Sequence, residues 1–338
     1  MEFVKHEINH SFFYASKAID ERLSRVFDTK QAKFDFYSHV STPPKQYHFR
    51  TNLAKTTINN LINVIKEKSP EFSCNSGFLE NSLLVEVKGP YEIPSVKKAV
   101  SCDKFAAESV MMGSDLYIPG VKQVEDKFES NEPVAVFLAR SDYPQITATN
   151  EIPEHFFHVA TGKAVLSSKQ FVQQTTGLFI SNTSPRYQTI NFHNSQIYLQ
   201  GLLSDQNYPA NLACAILVDK IIEKHNGFSE NDDSRTVIFD TCSAPGHKTA
   251  ALAEWCYYRT RQLGQPMWAK ILSIDRSANR LKHSENDLPR LGLRNIELFP
   301  CHLEKIEKKR PELLGRADYL LFDRSEEHTS ELQSRQVI

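Results

Sequence analysis

"FDTCSAPGHKT", Phe239 to Thr249, is the stretch on which the fold turns. It ends the apolar run "RTVIFDT" and opens the Ala-rich segment "GHKTAALAEWCYYRTRQ", which carries a helical pattern. A strand, a loop of small residues and a helix in that order form the first βα turn of a doubly wound sheet. Ligands of such sheets bind beyond the carboxyl ends of the strands, near the topological switch point. A dinucleotide fold requires G-x-G-x-x-G here and a phosphate-binding loop requires GxxxxGK[ST]; neither is present, which disfavours a nicotinamide-dependent oxidoreductase. One Pro and one Gly instead let backbone N–H groups and a helix N-terminus approach a ligand that carries a carboxylate rather than a pyrophosphate. The methionine end of S-adenosylmethionine is such a group.

The pattern continues on the C-terminal side. "AKILSIDR", "NIELFP" and "ADYLLFD" are apolar strands, and "SANRLKHSENDLPRLG" is a helix between the first two. Alternation of this kind means parallel strands joined by crossover helices. Asp275 ends the second strand, where an acid accepts both ribose hydroxyls of a nucleoside; taken alone, it is also a fitting cap for the helix after it. Upstream, "PANLACAILVDKIIEKH" is a helix leading into the sheet. From about Cys102 short strands punctuated by Gly, Pro and Asn ("SVMMGSDLYIPGV", "PVAVFLA", "ITAT", "HFFHVATGKAVL") predict a compact β-barrel. The first ~40 residues carry apolar positions at helical spacing and predict one or two helices. "YHFRTN" then predicts a strand, "TTINNLINVIKEK" a helix with Ile58, Leu61, Ile62 and Ile65 on one face, and "SLLVEVKG" a strand.

Composition bounds the function. At 338 residues the chain has room for two to three domains, and 40% hydrophobic with 24% charged residues is an ordinary globular balance. A formal net charge of −1 supplies no bulk positive field, so a nucleic acid would have to be met by local basic surface. Cys74, Cys102, Cys214, Cys242, Cys256 and Cys301 lie far apart without a CxxC pair or a signal peptide, as expected of reduced thiols in the cytoplasm or nucleus. No apolar stretch reaches the roughly 18 to 20 residues that cross a bilayer. "EHFFH", Glu154 to His158, sets two histidines three apart with no second ligand pair, so no metal is expected.

"DTCSAPGHKT" resembles the D-x-C-A-A-P-G-G-K-T motif of the NOP/Sun (RsmB/NOP-type) RNA cytosine-5 methyltransferases. "LGLRNIELFP" is similar to the family's approach to its third strand, and "SPRYQTINFHNSQIYLQG" to the lead-in before the first. "YHFRTN" matches the Arg-x-Asn of its N-terminal RNA-recognition region, with Arg50 and Asn52 in those places. "AAESVMMGSDLYIPGVKQVEDKFESNEPVAVF" looks like a PUA domain, in which Gly113 starts a turn and Pro119-Gly120 closes a loop facing RNA; Asn131-Glu132 replaces that module's Gly-Asp pair. The resemblance covers roughly residues 45 to 323 and points to the branch that methylates a cytosine near the tRNA acceptor end. It implies a Rossmann-like methyltransferase sheet, preceded by a PUA β-barrel and an N-terminal α+β region. Expected boundaries are 1–101 for the N-terminal region, 102–183 for the barrel and 184–323 for the methyltransferase domain. S-adenosylmethionine is the implied cofactor, held by Cys242, Ser243, Ala244, Pro245, Gly246, His247 and Lys248 at its methionine part and by Asp275 at its ribose. Arg280, His302 near the adenine and Asp323 beside the methyl donor complete the implied set. His247 stands for the family's second Gly and His302 for an Asp. A monomer that meets tRNA is expected, with no metal and no membrane partner.

The reaction sets a further requirement. Cytosine C5 takes a methyl group only after a cysteine thiolate has added to C6, with the base turned out of any stack. The family carries its nucleophile and a second, releasing cysteine after the fourth strand, whereas Cys242 belongs to the cofactor loop. No cysteine follows Asp323 here, and "RSEEHTSELQS" reads as a translated sequencing adapter. The expectation is therefore a C-terminally truncated enzyme with a non-native tail over 324–338, catalytically inactive, with the fourth strand as an exposed edge. The alternative is an RNA-binding protein that uses the PUA and N-terminal modules without turnover.

Overall fold

The structure, a computed structural model, describes residues 3–8, 11–40, 42–139, 157–193, 195–225, 236–265 and 267–323, with side chains from residue 17 on. The chain divides into two compact units, one of Gln46–Val85 with Phe192–Ile338 and one of Met1–Lys45 with Glu86–Asn191. The segment expected as one N-terminal region is thus shared between them.

The first of these units has two sheets. Gln46–Thr51 (β1), Ile58–Lys68 (α1), Cys74–Ser76 (β2), Ser82–Glu86 (β3) and Leu203–Asp205 (β4) build a small sheet in the order β4-β1-β3-β2. Tyr208–His225 (α2) leads from it to Thr236–Asp240 (β5). His247–Leu263 (α3), Ala269–Asp275 (β6), Ala278–Leu291 (α4), Ile296–Pro300 (β7) and Tyr319–Leu321 (β8) follow. The second sheet is parallel throughout, in the order β7-β6-β5-β8, so the chain reverses its direction of travel between β5 and β8. This is the doubly wound sheet expected from the alternating pattern, and the reversal is its switch point.

The strands read as continuous apolar runs because both faces of the sheet are covered. On one face Cys214, Val218 and Ile221 of α2 and Ala250, Ala251 and Trp255 of α3 pack with Ile238 and Ile271. On the other Phe239, Leu272 and Ile274 meet Cys301 and Ile306. The polar groups around Trp255 are paired, as burial demands. Trp255 Nε1 donates to Asn211 Oδ1 at 3.0 Å, and Asn211 Nδ2 donates to Asn81 Oδ1 at 2.7 Å, tying the β2–β3 hairpin to both helices. Helix α1 behaves as its periodicity predicts: Thr57 caps it, and Leu61, Ile62 and Ile65 are buried. Strand β8 pairs with β5, and Leu320 and Phe322 are exposed. The expected tail over 324–338 lies outside the described residues.

The other unit holds a six-stranded sheet. In sheet order its strands are Leu116–Tyr117, Leu178–Pro185, His158–Ala164, Pro133–Leu138, Ala99–Cys102 and Val121–Val124. Val100, Val110, Leu116, Val134, Val136, Val159 and Phe179 share one core with the helix Lys104–Met111, as the barrel expectation requires. The "ITAT" strand and all of "EHFFH" but its last two residues lie outside the described residues. His158 itself stacks on Phe137 and has Nε2 3.0 Å from Thr161 Oγ1. At the N-terminus the two expected helices form over Lys17–Val26 and Lys30–Val40, and an antiparallel hairpin of Phe3–Ile8 with Ser11–Ser16, which the helical spacing did not predict, precedes them. "SFFYAS" is dense in aromatics, which fit a pleated surface, and that preference overrides a short helical spacing. Three further contacts tie distant stretches of this unit together. Val87 N donates to Lys45 O at 2.9 Å, Thr189 Oγ1 to Glu86 O at 3.1 Å, and Lys88 bridges to Gln188.

Candidate functional site

The loop between β5 and α3 sits at the carboxyl end of the sheet and is held from both sides. Ser243 N donates to Ile274 O at 3.1 Å and Ala244 N to Asp275 Oδ2 at 3.1 Å, so the turn is laid across the end of β6. Asp275 Oδ1 also accepts from Ser277 N at 2.9 Å, and Cys301 N reaches Asp275 O at 2.8 Å from β7. Asp275 is buried. The cap of α4 is Ser277, which accepts from Arg280 N, so the capping reading of Asp275 gives way to a tie between loop and helix. Each carboxylate oxygen accepts about two hydrogen bonds, and acceptor capacity remains for a ligand. Arg280 Nη2 donates to Ala244 O at 2.8 Å, and Ser284 Oγ to Pro245 O at 2.7 Å.

Gly246 turns the chain into α3 with φ +100°, and a Cβ there would lie 2.1 Å from Ser284 Oγ. His247 is the first helical residue and has an ordinary negative φ, so a side chain is accommodated where the resembling motif has its second Gly. Lys248 forms an ion pair with Asp323, which joins the loop to the end of β8 across the switch point. His302 is exposed, next to Cys301 at the end of β7. The eleven expected positions thus gather around the ends of β5, β6, β7 and β8, with Asp275, Arg280 and the loop directly bonded and His302 at the rim.

Ser243 Oγ is buried and has no hydrogen-bond partner. An unmet hydroxyl in a loop whose neighbours are all committed suits a site that receives a polar ligand. Among the described residues no cluster of His, Cys, Asp and Glu is arranged to hold a metal ion, and no helix is long and apolar enough to cross a membrane.

Sequence reasoning passed over Asp240 and Thr249. Thr249 Oγ1 donates to Asp240 Oδ2 at 2.7 Å, and burial pushes the Asp240 carboxyl up to about 6 from 3.8, against opposing contributions from Thr249 and Lys248. The first letter of "DTCSAPGHKT" was the available signal. A raised acid pKa means the folded state holds its proton more tightly, so this contribution to stability is full below 3.8 and lost as pH rises through about 6. Asp240→Asn keeps an acceptor for Thr249 and removes the ionisation. Relative to the native chain, the variant is expected to gain on the order of 3 kcal/mol between pH 4 and pH 7.5. Parallel urea titrations at both pH values measure it; equal stability differences at the two would refute the assignment.

A parallel β7-β6-β5-β8 sheet, with its first βα turn tied to the acid that ends the second strand, defines a Rossmann-like α/β domain. The PUA domain family matches residues 98–183. Over 310 residues the chain is 25% identical to the tRNA (cytosine(72)-C(5))-methyltransferase of Pyrococcus horikoshii, covering 91% of this chain and 69% of that protein. It is 24% identical over 322 residues to the rRNA (cytosine-C(5))-methyltransferase NOP2C of Arabidopsis thaliana, covering 82% of this chain and 49% of that protein. The crystal structure of NSun6 from Pyrococcus horikoshii with SFG shares the fold, at a TM-score of 0.70 and 24% identity over 91% of this chain and 70% of that one. The chain is thus similar over most of its length to RNA cytosine-5 methyltransferases of the NOP/Sun type, and it carries a PUA domain.

Proposed function

We propose that this chain is the RNA- and cofactor-binding part of a tRNA cytosine-5 methyltransferase that uses S-adenosylmethionine. The observation that carries the reading is the bond from Ala244 N to Asp275 Oδ2, which joins the loop and the acid into one ligand-facing rim. The PUA domain and the likeness to the Pyrococcus tRNA methyltransferase support tRNA as substrate, and the NSun6 structure with SFG supports the cofactor. Bound there, S-adenosylmethionine supplies an electrophilic methyl group. Ser243 Oγ and the N-terminal N–H groups of α3 are suited to a carboxylate, and the remaining acceptor capacity of Asp275 to ribose hydroxyls. Arg280 fixes the loop through Ala244 O. Asp323, paired with Lys248, sets a negative charge at the β8 end of the same rim.

The thiol that must add to C6 is not among the six cysteines of this chain. Cys74, Cys102, Cys214, Cys256 and Cys301 are buried, and burial pushes the Cys214 thiol up to about 12 and that of Cys256 higher still. Cys242 lies inside the cofactor loop. The 338-residue chain is therefore expected to bind S-adenosylmethionine and transfer nothing. Calorimetric titration with the cofactor, beside a transfer assay with radiolabelled S-adenosylmethionine and transcribed tRNA, separates the two claims. Labelled tRNA would refute the inactivity. Absence of cofactor binding with retained tRNA affinity would favour a non-catalytic RNA-binding protein instead.

A further inference from the structure

The Arg-x-Asn segment at the end of β1, which matches that of the resembling family's RNA-recognition region, points inward. Arg50 and Asn52 are each 1% exposed. Arg50 forks onto Glu254 of α3, with Nε 2.8 Å from Oε2 and Nη2 3.0 Å from Oε1, and Glu254 is itself buried. Arg50 Nη1 donates to His247 O at 3.1 Å and to Gln206 Oε1. Gln206 is in turn held through its backbone O by His48 Nδ1 at 2.6 Å. Asn52 Nδ2 donates to Gly201 O and to Leu291 O, both at 3.0 Å, and Lys55 Nζ to Gln200 O at 2.9 Å. Leu291 is the last residue of α4, so Asn52 satisfies a carbonyl that the helix end leaves open.

These bonds reach the candidate site at one point. His247 is the first residue of α3 and directly follows the loop, and Glu254 lies about two turns further along the same helix. A bidentate arginine holds a carboxylate in distance and in plane. Two anchors on one helix therefore fix both where its first turn begins and how it is rotated. The N–H groups at that end are the ones offered to a ligand. We propose that Arg50 is a positioning residue for the cofactor loop, acting through His247 O and Glu254, and that it does not contact RNA. The proposal rests on the S-adenosylmethionine reading above.

Arg50→Met alone leaves Glu254 buried and unpaired, and is expected to unfold the chain or lower its melting temperature severely. The informative protein is Arg50→Met/Glu254→Leu, in which the ion pair is replaced by apolar groups and folding is restored. It is expected to melt within a few degrees of the native chain, to bind S-adenosylmethionine about tenfold more weakly, and to bind transcribed tRNA unchanged. Native cofactor affinity in this folded double variant would overturn the proposal, as would a selective loss of tRNA affinity. Arg50→Lys provides a second reading if the double variant does not fold. It keeps a charge for Glu254 and cannot span to His247 O, so several-fold weaker cofactor binding is expected and native affinity overturns the proposal. Absence of S-adenosylmethionine binding by the unaltered chain would instead remove the functional reading, and this proposal with it.

Discussion

Gly246→Ala is expected to weaken S-adenosylmethionine binding by roughly tenfold to a hundredfold while the chain stays folded. Two costs combine at this position. With φ +100° an L-residue is strained by about 1 to 3 kcal/mol, and each 1.4 kcal/mol that relaxation of the loop passes to the bound state is a factor of about ten. The added Cβ would also stand 2.1 Å from Ser284 Oγ and 2.8 Å from Ser284 Cβ. Ser284 can rotate away only by giving up its 2.7 Å bond to Pro245 O, which braces the same loop. Adding Ser284→Ala to Gly246→Ala should recover the steric part and leave the backbone part. Titration calorimetry on the three proteins resolves them, and native affinity in Gly246→Ala would show that the loop does not form the ligand's seat.

Gly201→Ala is expected to act on stability rather than on the ligand. Gly201 has φ +66°, and a Cβ there would meet Arg290 O at 2.2 Å and Arg290 C at 2.8 Å. Both are backbone atoms of α4 and cannot rotate aside. The carbonyls of Gly201 and Leu291 share the Asn52 amide, so a forced separation also breaks that bridge. Left-handed strain of about 1 to 2 kcal/mol and overpacking of about 1 to 3 kcal/mol add to a loss of roughly 2 to 5 kcal/mol. For a unit of this size that is a fall in melting temperature on the order of 10 °C. A shift of under 2 °C by calorimetry would show that the approach of Gly201 to α4 is not tight.

The parallel sheet was legible because its strands and helices differ in length, period and residue type, and a short apolar run such as "AKILSID" between helical segments fits a strand covered on both faces. The loop was legible for a related reason: a Pro, a Gly and small residues between a strand and a helix admit few conformations. Asp275 was placed correctly at a strand end, while its bond to Ala244 N depends on a turn closing over a neighbouring strand, which no local pattern encodes. Arg50 shows the limit most clearly. Its partner Glu254 is 204 positions away, and an arginine in a short strand reads as surface until that carboxylate is found. Ser284 is invisible on the same ground, since "KHSEN" marks only a polar helix face. At the N-terminus the helical spacing held for Lys17–Val26 and Lys30–Val40, while the paired strands before them carried no signal that the spacing could show.

The bond from Thr189 to Glu86 has a consequence for how such a chain can be assembled over evolutionary time. Glu86 and Thr189 are within one hydrogen bond of each other, so the chain leaves for the barrel and returns from it at nearly the same spot. The hundred or so residues between them are a parenthesis in the chain. Loop-closure entropy rises only slowly with length, so a module of this kind can be inserted, exchanged or lost there with little cost to the folding of what surrounds it.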